Sequence, residues 1–367
     1  MAQTKTKLAI ANGLIRMYRL LTGRPQTLLP ADPAPKTIVV FSTTALGDLM
    51  FNTPAIRQLR LRFPQARLIL VVHQKYVDLV QRYDDVDQVL CWDGRFVRMR
   101  GFLRDLRPMK PDLAVILHSR VPFDILCAVL AGCRWIVRDD IPQPDGPPMR
   151  QWLAAASDNA FRGHVIQRKL TLLKALGCDD SQVAMRVPCA IDPQHFRVAG
   201  VERIGFQLGA SKPERSWPVS HFVALAEALL QVRPACQIVL TGMASELALA
   251  EQFFALLPTH WHSRVISMVG QTSVQQAFEL VASLNLLVTG DTGPLHLAIA
   301  QQVPTVSLFV TADPAETGPY QDPALHTVIR RPLPANASAA LRAEPMANVP
   351  VETVLSAVLQ ALSADKV

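Results

Sequence analysis

The sequence predicts an α/β protein with two parallel sheets, each covered by helices on both faces. Its length of 367 residues suggests two domains of ordinary size. Short apolar runs alternate with amphipathic stretches in two series, which an irregular segment at 187–200 separates. Such alternation is typical of parallel sheets with crossover helices. We therefore expect two Rossmann-like domains that face each other across a central cleft.

The first series supplies the strands of the first domain. They are predicted from apolar runs at 37–42, 67–72, 86–91, 112–118 and 133–138. Amphipathic stretches between these runs predict helices, for example at 48–62 and 76–82. The proline-rich segment 139–150 breaks both patterns and predicts a loop.

The second series repeats the pattern. Its strands are predicted at 203–208, 237–242, 264–269, 284–289 and 305–310, and its helices at 220–232, 245–256 and 273–283, with a last helix at about 350–364. The whole chain then divides into a basic amphipathic N-terminal extension at 1–35, domains at 36–190 and 191–345, and a C-terminal helix at 346–367.

The charge is distributed unevenly between the two halves. Residues 1–190 hold 27 Lys and Arg against 16 Asp and no Glu, whereas residues 191–367 hold 10 basic and 14 acidic residues. The net charge of +7 therefore hides a first half at +11 and a second half at −4. A basic half is expected to meet an anionic partner, such as nucleic acid, a lipid headgroup surface or a phosphorylated substrate. Uneven solvation of two surfaces is the alternative.

Composition excludes several classes of protein. No apolar run approaches the roughly 20 residues of a membrane span. The cysteines form no CxxC pair and lie mostly in apolar contexts, at positions 91, 127, 133, 178, 189 and 236. They indicate reduced core residues of a cytosolic protein, and neither a zinc site nor a disulfide framework.

The loops that follow predicted strands are the expected place for chemistry, because ligands of open parallel sheets bind outside the carboxyl ends of the strands. Four such loops each lead into a helix, namely STTALGDLMFNTP (42–54), LGASKPERSWP (208–218), TGMASE (241–246) and TGDTGPLH (289–296). In the last of them, glycines permit close approach of the backbone, and Pro294 suits the first helical turn. The free N–H groups of that helix would form an anion site. An ordinary tight turn with Asp291 as the helix cap is the alternative.

Taken together, these stretches resemble a known family. The segments ALGDLMFNTPAIRQLRLRFP, HVIQRKLTLLKALG, GASKPERSWPVSHFVALA, LLVTGDTGPLHLAIAQQVPTVSLF and ADPAETGPY follow one another in the order seen in glycosyltransferase family 9, the ADP-heptose:lipopolysaccharide heptosyltransferases. The resemblance extends from about residue 37 to residue 320. It implies a GT-B fold, an acceptor-binding first domain, a second domain that binds the nucleotide-sugar donor, and chemistry that needs neither a cofactor nor a metal ion.

Sugar transfer needs a base for the acceptor hydroxyl, and the resemblance assigns this role to Asp48. The alternative for Asp48 is a helix cap, which is common for Asp at the start of a helix. Arg215 matches the basic position that binds the donor phosphates, and Lys212 is a second candidate in the same loop. Solvated loop charges are the alternative for both.

The remaining donor contacts follow from the same resemblance. Asp291, Thr292 and Gly293 match the loop that holds the sugar and the diphosphate of the donor, and His296 lies one turn further on. Glu246 matches the position that accepts from the ribose, with Met243 at the border of the base. The alternative for His296 is a purely structural role. The alternative for Glu246 is a favourable interaction of its negative charge with a helix N-terminus.

Three departures from the family pattern concern the donor. Ser42 stands where the first strand usually ends in Arg, the usual His-Pro-Gly-Ala is Gln-Leu-Gly-Ala at 207–210, and the usual Phe-Gly-Pro-Thr-Asp-Pro is Phe-Val-Thr-Ala-Asp-Pro at 309–314. The reaction type is compatible with these changes, whereas the identity of the donor sugar is not specified by the resemblance.

The resulting hypothesis is an inverting glycosyltransferase that moves a heptose-like sugar from ADP-heptose to an anionic lipopolysaccharide inner-core acceptor. The alternatives are the same chemistry with another nucleotide sugar or glycan, and a non-catalytic partner protein that binds nucleotide sugars. Nucleic-acid binding is disfavoured, since the basic half lacks interleaved aromatic residues and a reading motif.

The N-terminal segment KTKLAIANGLIRMYRLLTG (5–23) mixes basic and apolar residues and is too polar for a signal-peptide core. It is expected to be a basic amphipathic helix on the anionic cytoplasmic face of the bacterial inner membrane. Positive charge recurs a little further on, at Arg95, Arg98, Arg100, Arg104 and Arg107. These arginines could meet the same surface or the acceptor. The alternative is a helix packed on the domain with solvated arginines.

Overall fold

The computed structural model describes residues 2–23, 28–139, 149–156 and 161–364. Residue contacts divide the chain into two compact units, Met1–Cys189 and Ala190–Val367. Most of the loop predicted at 139–150 and the last three residues of the predicted C-terminal helix lie outside the described residues.

The first unit contains one parallel sheet of six strands in the order β3-β2-β1-β4-β5-β6. The strands are β1 (Thr37–Ser42), β2 (Arg67–Val72), β3 (Gln88–Cys91), β4 (Leu113–His118), β5 (Trp135–Arg138) and β6 (Ala155–Ala156). The α-helices are α1 (Ala2–Thr22), α2 (Leu46–Arg62), α3 (Val77–Val80), α4 (Met99–Leu106), α5 (Phe123–Ala131) and α6 (Val165–Leu173).

The second unit contains another parallel sheet of six strands, in the order β12-β11-β10-β7-β8-β9. The strands are β7 (Glu202–Gln207), β8 (Cys236–Thr241), β9 (Val265–Ser267), β10 (Leu286–Gly290), β11 (Thr305–Phe309) and β12 (His326–Arg330). The α-helices are α7 (Val219–Val232), α8 (Leu247–Leu256), α9 (Val274–Ala282), α10 (Gly293–Ala300), α11 (Pro314–Thr317), α12 (Ala339–Ala343) and α13 (Val351–Ala364).

Both sheets have the doubly wound arrangement, in which the chain builds outward from the first strand and then reverses at the fourth. This confirms the predicted α/β fold with two Rossmann-like domains. The central strands are buried along their whole length, β1 and β10 among them, because helices cover both faces of a parallel sheet.

Some predicted strands begin too early. The strand predicted at 86–91 begins at Gln88, because the Val86 amide closes a turn by donating to the Tyr83 carbonyl. The strand predicted at 133–138 begins at Trp135, because the Cys133 amide closes the end of α5 by donating to the Ala128 carbonyl. In both cases, a turn or helix-cap hydrogen bond engages a residue that would be assigned to the strand on its apolar character alone.

The two terminal helices each contribute to a core. On α1, Leu8, Ala11 and Ile15 are buried among residues of the first sheet and its helices. On α13, a row of apolar residues enters the core of the second unit at Val354, Val358 and Leu362. The predicted N-terminal helix is therefore packed on the first domain along one side.

Candidate active site

The strand order of the first unit reverses between β1 and β4, and two side chains meet there. Ser42 at the end of β1 pairs with His118 at the end of β4, and the Thr43 amide donates to the His118 carbonyl at 2.8 Å. Asp48 lies in the first turn of α2, directly after the β1 loop. Its Oδ1 is 3.4 Å from Nδ1 of His118. Reversal points of this kind are where open α/β sheets bind ligands.

Asp48 also caps its helix. Its Oδ2 accepts hydrogen bonds from Thr44 Oγ1 at 2.6 Å and from the Ala45 amide at 3.1 Å. These two bonds fix the carboxylate at the carboxyl edge of the sheet and leave Oδ1 facing His118. A capping role and a catalytic role are compatible, because they use different oxygen atoms of one side chain.

The surroundings of His118 favour its neutral imidazole form. Burial lowers the pKa of His118 to about 4, although the neighbouring Asp48 carboxylate acts in the opposite direction. Behind it, the ammonium group of buried Lys169 donates to the Asp139 carboxylate and to the Leu117 carbonyl. This positive charge adds to the lowering of the His118 pKa. The site thus presents one carboxylate beside an uncharged base.

The strand order of the second unit reverses between β7 and β10, and the loops after these strands meet in the same way. Arg215 in the β7 loop donates from Nη1 to Oδ2 of Asp291 in the β10 loop, at 2.5 Å. Gly290 makes this contact possible, because a Cβ atom there would lie only 2.5 Å from the Arg215 carbonyl oxygen. The glycine after the apolar run is therefore required for close approach of two loops.

Asp291 is buried at this contact. Burial raises the pKa of Asp291, and the charge of Arg215 opposes the shift. His296 is buried on α10, with Nε2 3.9 Å from Asp291 Oδ1. A guanidinium, a carboxylate and an imidazole thus lie together at the start of a helix, where N–H groups without intrahelical partners favour anions.

The residues that open α10 differ in accessibility. Thr292 is buried at the N-cap, and its hydroxyl lies 2.7 Å from the Thr289 hydroxyl. Gly293 faces open space, since a Cβ atom there would meet no other heavy atom within 4 Å. The helix start therefore has room for a ligand over Gly293.

Glu246 lies at a third strand-end loop, and two hydrogen-bond donors hold its carboxylate. Its Oε2 accepts from the Met243 amide at 2.6 Å, and its Oε1 accepts from Gln207 Nε2 at 3.1 Å. The backbone at Gly209 passes so close that a Cβ atom would lie 1.9 Å from Glu246 Oε1. Gln207 is itself fixed, because its Oε1 accepts from the Thr241 hydroxyl at 2.9 Å.

The structure therefore brings together some of the predicted residues. Arg215, Asp291 and His296 form one cluster, with Thr292 and Gly293 next to it along the chain. Glu246 adjoins the backbone of Met243, whose side chain is exposed. Lys212 is exposed in the same loop as Arg215. The roles that the resemblance assigns to these residues, and to Asp48, remain predictions.

Sequence reasoning missed His118, Lys169 and Gln207. His118 ends the predicted strand 112–118, and the doubly wound strand order places that strand next to β1, so this neighbour could have been found. Gln207 departs from the family pattern, so the resemblance assigns it no role. In the part of the chain that the structure describes, no group of three or more His, Cys, Asp or Glu side chains has the arrangement of a metal site.

Known proteins are similar to this chain in sequence and in fold. Residues 151–342, slightly more than half of the chain, match the family model described as glycosyltransferase family 9 (heptosyltransferase). The chain is 34% identical over 309 residues to lipooligosaccharide heptosyltransferase 2 of Haemophilus ducreyi, with 78% of this chain and 87% of the relative covered. It is 26% identical over 316 residues to lipooligosaccharide heptosyltransferase 2 of Haemophilus influenzae, covering 80% of this chain and 88% of the relative.

A solved structure supports the same assignment at the level of the fold. The ADP-heptose lipopolysaccharide heptosyltransferase II of Escherichia coli superimposes with a TM-score of 0.74 at 22% identity, covering 90% of this chain and 100% of that one. The fold is therefore the GT-B type. With the family match and the relative at 34% identity, these findings show that the chain belongs to glycosyltransferase family 9, and that it is a glycosyltransferase of the heptosyltransferase family.

Proposed function

We propose that the protein is an inverting glycosyltransferase that moves a heptose-like sugar from ADP-heptose to an anionic lipopolysaccharide inner-core acceptor. Two relatives are named lipooligosaccharide heptosyltransferase 2, and the Escherichia coli structure is described as an ADP-heptose enzyme. The observation that carries the proposal is the Arg215–Asp291 pair at the start of α10. A cation beside free helix amides suits a diphosphate, and a neighbouring carboxylate suits sugar hydroxyls.

According to this proposal, the reaction is a single displacement at the anomeric carbon. Asp48 takes the proton from the acceptor hydroxyl as its oxygen forms a bond to the anomeric carbon, and the bond from that carbon to the diphosphate oxygen breaks. ADP leaves with the electron pair of the broken bond, and the anomeric configuration inverts. Neutral His118 beside Asp48 adds no positive charge that would lower the basicity of the carboxylate.

According to this proposal, the second domain binds the donor. Arg215, Lys212 and the amides of Thr292 and Gly293 stabilise the charge that develops on the leaving diphosphate. Asp291 accepts from sugar hydroxyls, and His296 lies within reach of the same phosphate. Glu246 accepts from the ribose next to Met243 at the base, and Gln207 orients the Glu246 carboxylate. Arg215, Lys212 and the helix amides compensate the negative charge of the leaving diphosphate, so we propose that neither a cofactor nor a metal ion is needed.

A thermal-shift series tests the choice of donor. ADP and ADP-heptose should raise the melting temperature, because a ligand that binds only the native state stabilises it, by about 2.7 kcal/mol at one hundred times its Kd. UDP-, GDP- and CMP-sugars should leave it unchanged. Sugar transfer from the stabilising donor should persist in EDTA. A shift with another nucleotide sugar would assign a different donor, and a donor that stabilises without transfer would indicate a non-catalytic binding protein. Complete and reversible loss of transfer in EDTA would contradict the metal-independent mechanism.

We also propose that the protein works at the cytoplasmic face of the bacterial inner membrane and is held there peripherally, without nucleic acid as a partner. An acceptor anchored in lipid requires such a location, and the basic first half complements an anionic leaflet. Within the described residues, no helix combines the length and the apolar character of a membrane span.

Vesicle flotation tests this location. The protein should float with vesicles that contain anionic phospholipid, it should not float with purely zwitterionic vesicles, and high salt should release it, because exposed charges are screened within about a Debye length. Since α1 contributes to the core, single substitutions on its exposed side are a cleaner test than deletion of residues 1–23. Equal flotation with both kinds of vesicle would contradict the electrostatic attachment.

A further inference from the structure

Helix α1 is apolar on two opposite sides. Its buried side holds Leu8, Ala11 and Ile15 in the core of the first domain. On the same side, buried Asn12 accepts a hydrogen bond from Trp152 Nε1 at 2.6 Å. This packing fixes the rotation of α1 about its own axis, so the side that faces away from the domain is also fixed.

The outward side carries a second apolar row, which we call the α1 stripe. Its large members Ile10, Met17, Leu20 and Leu21 are 54%, 53%, 83% and 79% exposed. With Gly13 they recur every three or four residues, which at about 100° per residue places them on one face, opposite the buried side. A contiguous exposed apolar patch marks an interaction surface rather than ordinary solvent-facing residues.

The charges around the stripe indicate which kind of partner covers it. Helix α1 contains Lys5, Lys7, Arg16 and Arg19 and no acidic residue. A second copy of the chain docked on this face would bring like charges together around a shared apolar contact, which is unfavourable. An anionic leaflet can bind both the basic residues and the apolar face of α1. The basic residues contact the lipid headgroups, while the apolar face enters the boundary between headgroups and acyl chains.

A cavity of about 700 Å³ lies beside the C-terminal turn of α1, at the end of the helix that also carries Leu20 and Leu21. It is lined by Tyr18 and Arg19 of α1, which precede Leu20 and Leu21 in the sequence, by Arg107 and the segment 110–112, and by the segment 129–134 around the end of α5. These segments precede β4 and β5, so the cavity lies at the amino edge of the first sheet, opposite the edge that holds Asp48. It is therefore separate from the candidate active site.

Among the residues that the structure describes, the charged lining of the cavity is predominantly cationic. It comprises Arg19, Arg107, Lys110 and Arg134, with Asp112 as the carboxylate. The guanidinium groups of Arg19 and Arg134 also lie over the rings of Trp152 and Trp135, at 5.0 and 4.7 Å from the ring centres. Asp112 already accepts hydrogen bonds from the amides of Lys36 and Thr37, at 2.8 and 3.0 Å. Arg107 donates from Nε to the Leu130 carbonyl at 2.9 Å. The excess of positive charge suits a phosphate, and the volume lies within the usual range of small-molecule sites, roughly 300–1,000 Å³.

We propose that the α1 stripe and this cavity form one docking surface for an anionic phospholipid leaflet, in which the stripe enters the headgroup region and the cavity binds the phosphate of one glycerophospholipid. The inference rests on the proposed peripheral location and names the part of the molecule that makes the contact. It adds a lipid-headgroup site that has no part in the sugar-transfer step.

Binding of a soluble lipid tests the cavity directly. Dihexanoylphosphatidylglycerol, titrated below its micelle concentration in a calorimeter, should bind with one-to-one stoichiometry. Lys110→Gln with Arg134→Gln should weaken that binding roughly tenfold or more, since each cation near an anionic lipid contributes about 1 kcal/mol. Lys110→Glu alone, at an exposed position, should weaken it as well. The control pair Arg82→Gln with Lys174→Gln removes the same charge outside the cavity and should have little effect.

Three outcomes of the titration would overturn the headgroup site. Absence of saturable binding would do so, as would equal binding of dihexanoylphosphatidylcholine. If inorganic phosphate binds as tightly as the lipid, the cavity takes a free anion and the lipid assignment is wrong.

Flotation with phosphatidylglycerol vesicles tests the stripe. Leu20→Ser with Leu21→Ser should lower partition roughly tenfold or more, because burial of one leucine contributes about 1.5–3 kcal/mol when complete. The control pair Leu61→Ser with Leu256→Ser changes two half-exposed leucines elsewhere and should leave partition nearly unchanged. If both pairs behave alike, the stripe is not the docking surface.

The melting-temperature shift with ADP is measured in every variant and should stay at its wild-type size, since these residues lie outside the donor loops. Loss of lipid binding with an intact ADP shift separates failure of the docking surface from failure of the proposed sugar transfer.

Discussion

Replacing Asp48 with asparagine should lower the turnover of sugar transfer by about 10²- to 10⁴-fold while ADP binds almost as well as to the wild type. The expected loss is that of a positioned general base, since a neutral amide cannot take the proton of the acceptor hydroxyl. The amide oxygen of asparagine can still accept from the Ala45 amide, so the start of α2 should remain intact. Steady-state kinetics and calorimetric titration with ADP measure the two quantities.

Asp112→Asn is the matched control for Asp48→Asn. Asp112 also accepts backbone hydrogen bonds through its carboxylate, but it does so at the opposite edge of the same sheet. Its variant should lose a little stability and keep its turnover. If Asp48→Asn likewise turns over normally and only melts earlier, then Asp48 is a helix cap and the base lies elsewhere.

The central strands could be predicted because their sequences are continuous apolar runs. Helices cover both faces of the two sheets, so burial leaves a direct signal in strands such as β1 and β10. Two of the edge strands, β6 and β12, have no such signal. Strand β12 exposes Thr327, Val328 and Arg330, and β6 is only two residues long. Their pairing depends on the neighbouring strand rather than on their own composition.

The candidate site could be predicted as a set of loops, but its internal contacts could not. The resemblance identifies Asp48, Arg215, Asp291 and Glu246 one by one along the chain. Which of them touch depends on strand order and on close backbone approach, as at Gly290. Lys169 is the clearest example of a contact that the sequence does not predict. A buried lysine on a helix cannot be told from an exposed one by sequence pattern, and its burial becomes evident only with its carboxylate partner, Asp139.

Replacing Arg215 with alanine should weaken the binding of ADP about ten- to a hundredfold and leave the binding of adenosine nearly unchanged. The expected loss follows from removal of a charge-assisted contact to phosphate, which contributes roughly 1.5–3 kcal/mol. Arg233→Ala is the matched control, because Arg233 pairs with Glu202 at the opposite edge of the same sheet. That variant should lose stability without losing affinity for ADP. Equal losses for ADP and adenosine would place Arg215 away from the diphosphate.

The same substitution should also destabilise the free protein, because buried Asp291 loses its cationic partner. Burial already raises the pKa of Asp291, and without the opposing charge of Arg215 this pKa should rise further. A carboxyl whose folded pKa lies above its unfolded value costs no stability at low pH, where both states are protonated; the cost grows as the pH rises above the unfolded pKa and is complete above the folded pKa. The stability deficit of Arg215→Ala, measured by urea unfolding, should therefore be larger at pH 7 than near pH 4. Adding Asp291→Asn should remove most of this pH dependence, since no buried carboxyl remains to be ionised, and it should not restore ADP binding. A deficit independent of pH would show that Arg215 contributes through packing rather than through its charge.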